Sequence, residues 1–288
     1  MNTAGLNEQV AERLRQAADL LAEQQANPFR VRAYRRAADT LAELPEELAD
    51  FVARRGIEGL EGLPGIGPSL AAAIAEMVRT GRWAQLERLR GTAEPEKLFC
   101  SIPGIGPKLA RRIHDTLHVD TLEALEAAAH DGRLEAVPGV GDRRSSMLKA
   151  ALGTRLARVR PTVRRQVAEP DIETLLDVDR EYRTKAVEGS LPKIAPKRFN
   201  PEGKAWLPIL HTERKDWQLT ALFSNTARAH ELGRIADWVV VYFHSDSQPE
   251  GQRTIVTEKR GELAGRRVVR GREAECHNLY FARHHPAA

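Results

Sequence analysis

The chain has 288 residues with 44 Lys and Arg against 40 Asp and Glu, which gives a formal net charge of +4. This length allows about two domains. The two cysteines exclude a disulfide framework and favour a reducing compartment, and no apolar run approaches the roughly 18 residues of a membrane span. The N-terminus lacks the basic start and apolar core of a signal peptide. We expect a soluble, cytoplasmic protein with no membrane partner.

The periodicity of apolar residues divides the chain into four parts. Residues 6–25 and 27–44 have the pattern of amphipathic helices. From Trp206 onward, three β-rich runs and a short helix precede two strands around a glycine-containing turn. The predicted fold is therefore a mainly α N-terminal half with hairpin repeats, followed by a small α+β C-terminal domain. The predicted parts are a helical domain (1–92), two further hairpin units (93–153), a basic, proline-containing linker with one helix (154–205) and an α+β domain of unknown function (206–288).

The charge is unevenly distributed between the two halves. Residues 1–150 contain 20 basic and 22 acidic side chains, whereas residues 151–288 contain 24 and 18. The run from Thr154 to Ala168 has five arginines and no acidic residue. Such a run indicates either a polyanionic partner or a solvated linker, and charge alone does not decide between them.

A glycine-rich motif occurs three times in the N-terminal half. It has the sequence LPGIG from Leu63, IPGIG from Ile102 and VPGVG from Val137, and each copy lies between helical patterns. Glycine permits backbone angles that other residues avoid, so each motif predicts a sharp turn between two helices. The free N–H groups at the start of the following helix suit a phosphate. The pattern predicts helix-hairpin-helix elements that hold a nucleic-acid backbone through Gly65, Gly67, Gly104, Gly106, Gly139 and Gly141.

Basic residues follow only two of the three turns. Lys108 and Arg111 follow the second turn, and Arg143 and Arg144 follow the third, whereas no cation follows the first turn before Arg79. These four side chains are candidate DNA contacts through phosphate. A single Gly-x-Gly could equally be a tight structural turn; the repetition of the motif favours the DNA-binding interpretation, although the third copy lacks the second proline.

The N-terminal half also resembles a known family. The stretches NPFRVRAYRRAADTL, LPGIGPSLAAAIAEMVRTGR and IPGIGPKLARRI are similar to the N-terminal region of bacterial family X DNA polymerases, over about residues 5–153. The resemblance implies binding of gapped DNA, with the first domain on the 5′-phosphate side and the second hairpin on the primer side. The residues that it implies for the phosphate lie in one helix: Arg30, Arg32, Tyr34 and Arg35. The carbonyls that it implies for a potassium or sodium ion, with no other cofactor required, are those of Leu63, Ile66, Cys100, Ile102 and Ile105.

The catalytic residues of that family have no equivalent at the matching positions. Ala73 and Ser69 stand where the family's lyase lysines would be, and no lysine occurs before Lys97. Asp177 and Asp179 are the only candidate pair of carboxylates for polymerase metals. The neighbouring sequence, however, has the apolar pattern of a helix and not of a strand. We expect neither activity.

Two features of the C-terminal half are open to functional interpretation. His211, Glu213, His230 and His244 could form a metal site, or could be ordinary surface and capped side chains, since their spacing matches no standard pattern. The tail residues His284 and His285 are interpreted as frayed. The stretch GRRVVRGRE, from Gly265, is either a basic hairpin along a phosphate backbone or an edge strand protected by charge.

The sequence favours a DNA-binding protein that recognises gapped, nicked or branched DNA, in repair and near the nucleoid. Two alternatives remain at this point. The C-terminal domain could be a nuclease-like enzyme that the hairpins deliver to DNA, or an adaptor that recruits a repair protein.

The missing lysines generate a prediction about lyase chemistry. We expect no covalent adduct when the protein meets incised abasic DNA in the presence of borohydride, because a Schiff base needs an amine nucleophile at the hairpin. The measurement is borohydride trapping followed by gel electrophoresis. A trapped band of protein joined to DNA would contradict this expectation.

Overall fold

A computed structural model describes residues 5–157, 168–246 and 248–282. The N-terminal half is helical throughout this part, and its hairpin turns lie between consecutive helices. The helices up to the first hairpin are α1 (Leu6–Glu23), α2 (Pro28–Ala42), α3 (Leu48–Glu61), α4 (Pro68–Thr80) and α5 (Ala84–Leu89). The helices around the second and third hairpins are α6 (Pro95–Phe99), α7 (Pro107–Leu117), α8 (Leu122–His130), a short 3₁₀ helix (Arg133–Ala136) and α9 (Asp142–Ala157).

The first helices pack through one apolar face each. Val10, Leu14 and Leu21 repeat at helical spacing on α1 and are fully buried. Asn27 is the N-cap of α2: its side chain accepts a 2.9 Å hydrogen bond from the Phe29 amide, and Pro28 is the first residue of the helix. The helices around the second and third hairpins form a separate core that extends from Phe99 to Leu156. The helical half therefore consists of two packed units.

The C-terminal part is built on a six-stranded antiparallel sheet in which neighbouring strands follow one another along the chain. The predicted α+β class is confirmed. The strands are β1 (Lys193–Ile194), β2 (Leu207–Arg214), β3 (Trp217–Phe223), β4 (Val239–Ser245), β5 (Gln248–Thr257) and β6 (Arg267–Val269). The helices of this part are α10 (Ile172–Glu188), α11 (Ala227–Glu231) and α12 (Glu273–Ala282). No described helix is long and apolar enough to cross a membrane.

Alternate residues of a strand point to opposite faces of the sheet, and each face is buried against a different set of helices. On β4, Val240 and Tyr242 join the core of the first helical unit. Val239, Val241 and Phe243 instead join a core with α10 and α12. The first helical unit therefore packs against the sheet as a second layer.

Helix α10 belongs to the sheet domain and does not act as part of a linker. The Tyr182 hydroxyl is fully buried, donates a 3.0 Å hydrogen bond to the Pro208 carbonyl and accepts a 2.8 Å bond from the Phe223 amide. The structure thus differs from the predicted linker 154–205, because the apolar face of α10 needs the sheet to bury it. The central part of the basic run, residues 158–167, lies outside the described residues.

Arg88 on α5 joins the three parts of the molecule. Its guanidinium is buried and makes two hydrogen bonds to the Glu250 carboxylate, at 2.8 and 3.1 Å. Oδ2 of Asp120, which follows α7, lies 3.6 Å from the Nε of Arg88. The centre of the Tyr242 ring lies 3.4 Å from the Cζ of Arg88. These carboxylates hold the pKa of Arg88 above its ordinary value despite burial. One side chain thus contacts both helical units and the sheet.

We expect Arg88→Ala to lower the free energy of unfolding by about 3 kcal/mol, because it leaves the Glu250 and Asp120 carboxylates without their buried counter-charge. Thermal unfolding, monitored by calorimetry and by circular dichroism, measures this loss of stability. The matched control is Arg90→Ala, which removes an exposed arginine two residues later; we expect a change within about 0.5 kcal/mol. Equal effects of the two substitutions would show that the junction is not a special source of stability.

Candidate nucleic-acid interface

The three glycine motifs fold into the same turn. Gly65, Gly104 and Gly139 have φ of 75°, 89° and 85°, a left-handed conformation that favours glycine. In each motif, the amide of the fourth residue donates a hydrogen bond to the carbonyl of the first. These bonds are Ile66 to Leu63 (3.2 Å), Ile105 to Ile102 (3.0 Å) and Val140 to Val137 (2.9 Å). The third copy keeps this geometry without the second proline.

The second glycine of each motif precedes a helix. Gly67 and Gly106 are the N-caps of α4 and α7, and neither helix has a side-chain cap there. Gly141 similarly accepts the first helical hydrogen bond of α9, from the Ser145 amide at 2.9 Å. All three glycines are exposed. At each turn the glycine before the helix has no side chain of its own that would separate a phosphate from the first N–H groups of the helix.

Cations surround the second and third turns. Lys108, Arg111, Arg112 and Arg143 are exposed, and none of them forms an ion pair with a described residue. Arg112 Nη1 lies 2.9 Å from the position that a Cβ on Gly139 would occupy. Arg144 Nη1 donates a 2.9 Å hydrogen bond to the Gly139 carbonyl. Side chains from α7 and α9 thus meet at the third turn, where they create a positive surface.

The first hairpin has different surroundings. The Arg36 side chain lies against its turn, with Cδ 2.6 Å from where a Cβ on Gly65 would stand. The Asp246 carbonyl, at the turn between β4 and β5, lies 3.7 Å from the corresponding position on Gly67. The sheet domain therefore approaches the start of α4 and narrows the access to its N–H groups.

Two of the predicted phosphate ligands on α2 point into the protein. Tyr34 is 3 % exposed, donates a 3.0 Å hydrogen bond to Gln85 Oε1 and stacks on Trp83. Arg30 is 7 % exposed and its Nη1 lies 3.5 Å from Thr220 Oγ1 of β3. The prediction that these two side chains face a terminal phosphate does not fit their burial, because the first helical core and the sheet enclose them.

The other predicted residues of α2 remain at the surface. Arg35 is exposed and pairs with Asp19 at 3.0 Å. The Arg32 guanidinium lies 4.3 Å from the ring centre of Phe29, which is 74 % exposed. Phe29 was not among the predicted site residues; its only signal in the sequence is an aromatic residue in the polar first turn of a helix.

The carboxylates considered for polymerase chemistry are committed to ion pairs. Asp177 and Asp179 lie on α10, as the helical pattern predicts. Asp177 accepts a 3.0 Å hydrogen bond from Arg214, which lowers the pKa of that carboxyl. Asp179 is buried and pairs with Arg267 at 2.6 Å. Burial raises the pKa of Asp179.

The histidines considered for a metal site do not converge. His211 contacts Thr220 and Gln24, each at 3.0 Å, and His230 contacts Asn225 Oδ1 at 2.6 Å. Burial lowers the pKa of both His211 and His244 well below the ordinary value. Among the described residues, no three His, Cys, Asp or Glu side chains form a group that could hold a metal ion. His284 and His285 lie outside those residues.

The basic stretch after Gly265 is largely neutralised by neighbouring carboxylates. Arg267 pairs with Asp237 at 2.7 Å as well as with Asp179. Arg270 pairs with Glu258 at 2.6 Å, and Arg272 lies against Glu275. The charges of this stretch serve the internal contacts of the sheet domain, which favours the structural interpretation of the pattern.

Comparison with protein families agrees with the hairpin geometry. Residues 5–83 match a helix-hairpin-helix domain, and residues 96–154 match a SAM-like helix-hairpin-helix tandem. The N-terminal region contains helix-hairpin-helix domains. Domains of this kind suggest DNA binding without sequence specificity. Neither match is specific to family X polymerases, and no curated protein matches the chain.

A buried histidine ties the tandem to the sheet. His118 follows α7 with φ of 54°, and its Nδ1 lies 3.4 Å from Ser224 Oγ. The centre of its ring lies 4.6 Å from that of Trp238, and the two rings pack edge to face. Burial lowers the pKa of His118 to about 3. The imidazole is therefore neutral at physiological pH.

This burial predicts an acid-sensitive contribution to stability. An unfolded histidine takes up a proton at a pKa of about 6.5, whereas folded His118 does so at about 3. The unfolded state consequently gains stability as the pH falls between these values, by up to about 1.4 kcal/mol per pH unit, with no effect above the higher one. We expect His118→Asn, which tolerates the left-handed backbone, to have a shallower loss of stability over this range.

Urea unfolding measured at a series of pH values tests this expectation. The control is His130→Asn, which replaces an exposed histidine at the end of α8 and should retain the wild-type pH dependence. If the wild type and His118→Asn show the same slope, His118 is not a source of acid sensitivity.

Proposed function

We propose that the protein binds DNA through its sugar–phosphate backbone, with the second and third hairpins as the main contact. The supporting observation is the set of unpaired cations beside two exposed glycine turns, each followed by a helix N-terminus. Backbone amides and cations hold phosphates in any sequence, so this surface suits binding without base readout. The match to a helix-hairpin-helix tandem over residues 96–154 supports the same function.

The proposed substrates are gapped, nicked or branched DNA, and the proposed role is in repair. This part rests on the resemblance of the N-terminal half to family X polymerases. The burial of Arg30 and Tyr34 leaves Arg32, Arg35 and Arg36 as the exposed cations on α2, and Arg35 among them pairs with Asp19. The first domain would therefore contribute less to phosphate binding than the resemblance implies, and the tandem more.

A potassium or sodium ion at the hairpins forms part of the proposal. The carbonyls of Leu63 and Ile102 each accept one turn hydrogen bond, and a carbonyl oxygen has a second lone pair for a cation. Together with the carbonyls of Ile66, Ile105 and Cys100, they are the proposed ligands. Such an ion would place positive charge beside the bound phosphate.

Fluorescence anisotropy on labelled DNA tests the proposed surface. We expect full-length protein to bind a one-nucleotide gap with a 5′-phosphate more tightly than intact duplex or single strand. Lys108→Ala and Arg143→Ala should each weaken binding to all three DNAs. Each should also reduce the slope of log K against log salt by about 1, because one phosphate contact is lost.

The matched control is Arg180→Ala, which removes an exposed cation from α10. This variant should bind as the wild type does. Equal weakening by Arg180→Ala would show that binding follows net charge rather than the hairpin surface. Absence of binding to any DNA at low salt would overturn the proposed function.

A further inference from the structure

The loop between β1 and β2 brings part of the sheet domain against the second hairpin. The Lys197 amide donates a 2.7 Å hydrogen bond to the Gly91 carbonyl. Arg198 pairs with Glu96 at 2.5 Å, and its Nη1 lies 3.0 Å from His114 Nδ1 on α7. The position of this loop beside the tandem is therefore fixed by contacts on two sides.

Phe199, the next residue, is held at the surface in an unusual conformation. It has φ of 53°, a left-handed value that is unfavourable for a bulky residue. Its ring packs against His230 at 4.3 Å, yet 48 % of the residue is exposed. Strain of this kind persists where the surrounding structure imposes it, and it accumulates at functional sites. Packing in a core does not explain why an aromatic residue stands at this position, since nearly half of Phe199 is exposed.

The surface that leads from α7 to Phe199 is positively charged. An open pocket beside the second hairpin is bounded by Arg111 and Lys97 on one side and by Lys197 and Arg198 on the other. Only two carboxylates, those of Glu94 and Glu96, line it among the described residues. Lys97 pairs with Glu94 at 2.8 Å, as Arg198 does with Glu96. Arg111 forms no ion pair with a described residue, and the Lys197 side chain is 67 % exposed although it lies 3.5 Å from Glu94. The pocket therefore offers a path for a polyanion from the hairpin helix towards the loop.

We infer that Phe199 stacks on an unpaired base at a discontinuity in DNA whose backbone occupies the second hairpin. This inference rests on the proposed DNA binding and adds the element that distinguishes gapped from intact DNA. An aromatic ring can stack on any base because every base has a flat face, so the contact is tolerant of sequence. In intact duplex the bases are paired and stacked on one another, so Phe199 has no base to contact. Arg111 and the exposed Lys197 hold the adjoining phosphates.

The test compares wild type and Phe199→Leu at full length on two DNAs. One carries a single-nucleotide gap with 2-aminopurine opposite the gap, and the other is the intact duplex. We expect Phe199→Leu to bind the gapped DNA about fivefold or more weakly and the intact duplex within about twofold of wild type. At saturation, 2-aminopurine fluorescence should be about twofold lower in the wild-type complex than in the Phe199→Leu complex, because stacking of the base on the Phe199 ring quenches it.

Two further variants separate stacking from a general disturbance of the loop. Phe199→Tyr keeps the ring and should keep both the gap preference and the quenching. Phe281→Leu removes another partly exposed aromatic, on α12, and should behave as wild type. If Phe199→Leu binds and quenches as the wild type does, the stacking role is overturned while DNA binding stands. If the wild type binds neither DNA, the proposed function fails and the stacking role fails with it.

Discussion

The arrangement of the molecule depends on the buried guanidinium of Arg88. Removing such a group from water is costly unless it is paired and fully hydrogen-bonded. Arg88 lies in the last turn of α5, and its compensation comes from two other parts of the molecule: Glu250 and Tyr242 belong to the sheet, and Asp120 follows α7. Both carboxylates lie within 4 Å of the guanidinium only when the two helical units and the sheet are in place, and the Nε of Arg88 then still makes no hydrogen bond. A single electrostatic requirement thus links the positions of all three parts.

This link gives the sheet a role in presenting the hairpins. One face of the sheet supports the first helical unit through Ile209, Leu222 and Val240, while the other face covers α10 and α12. His118 adds a second connection, because its burial against Ser224 and Trp238 joins the end of α7 to the sheet. The tandem and the loop that carries Phe199 are therefore held together, as a binding surface composed of two domains requires.

Local features of the fold could be predicted from the sequence, whereas contacts between its parts could not. The glycine turns follow from a motif whose backbone angles are set within five residues. The periodicity of α1 and α2 and the Asn27 cap of α2 are equally local. The burial of Tyr34 depends on Trp83 and on a distant sheet. Its helical pattern is the same whether it faces a core or a ligand. Similarly, the apolar face of α10 shows that it packs against something, but not that the partner is the sheet. Phe199 lies in a polar loop with no periodicity and gives no signal at all.

Charge illustrates the same distinction between composition and geometry. The C-terminal half carries the excess of basic residues, yet Arg253, Arg267 and Arg272 in that half are engaged by carboxylates. The N-terminal half contains more acidic than basic side chains, yet exposed cations on α7 and α9 form no ion pair with a described residue. A phosphate is attracted by the charges within about a Debye length, roughly 8 to 10 Å, and not by the net charge of a whole domain. The candidate DNA surface is therefore determined by where exposed cations lie beside the glycine turns, and it lies in the half whose net charge is negative.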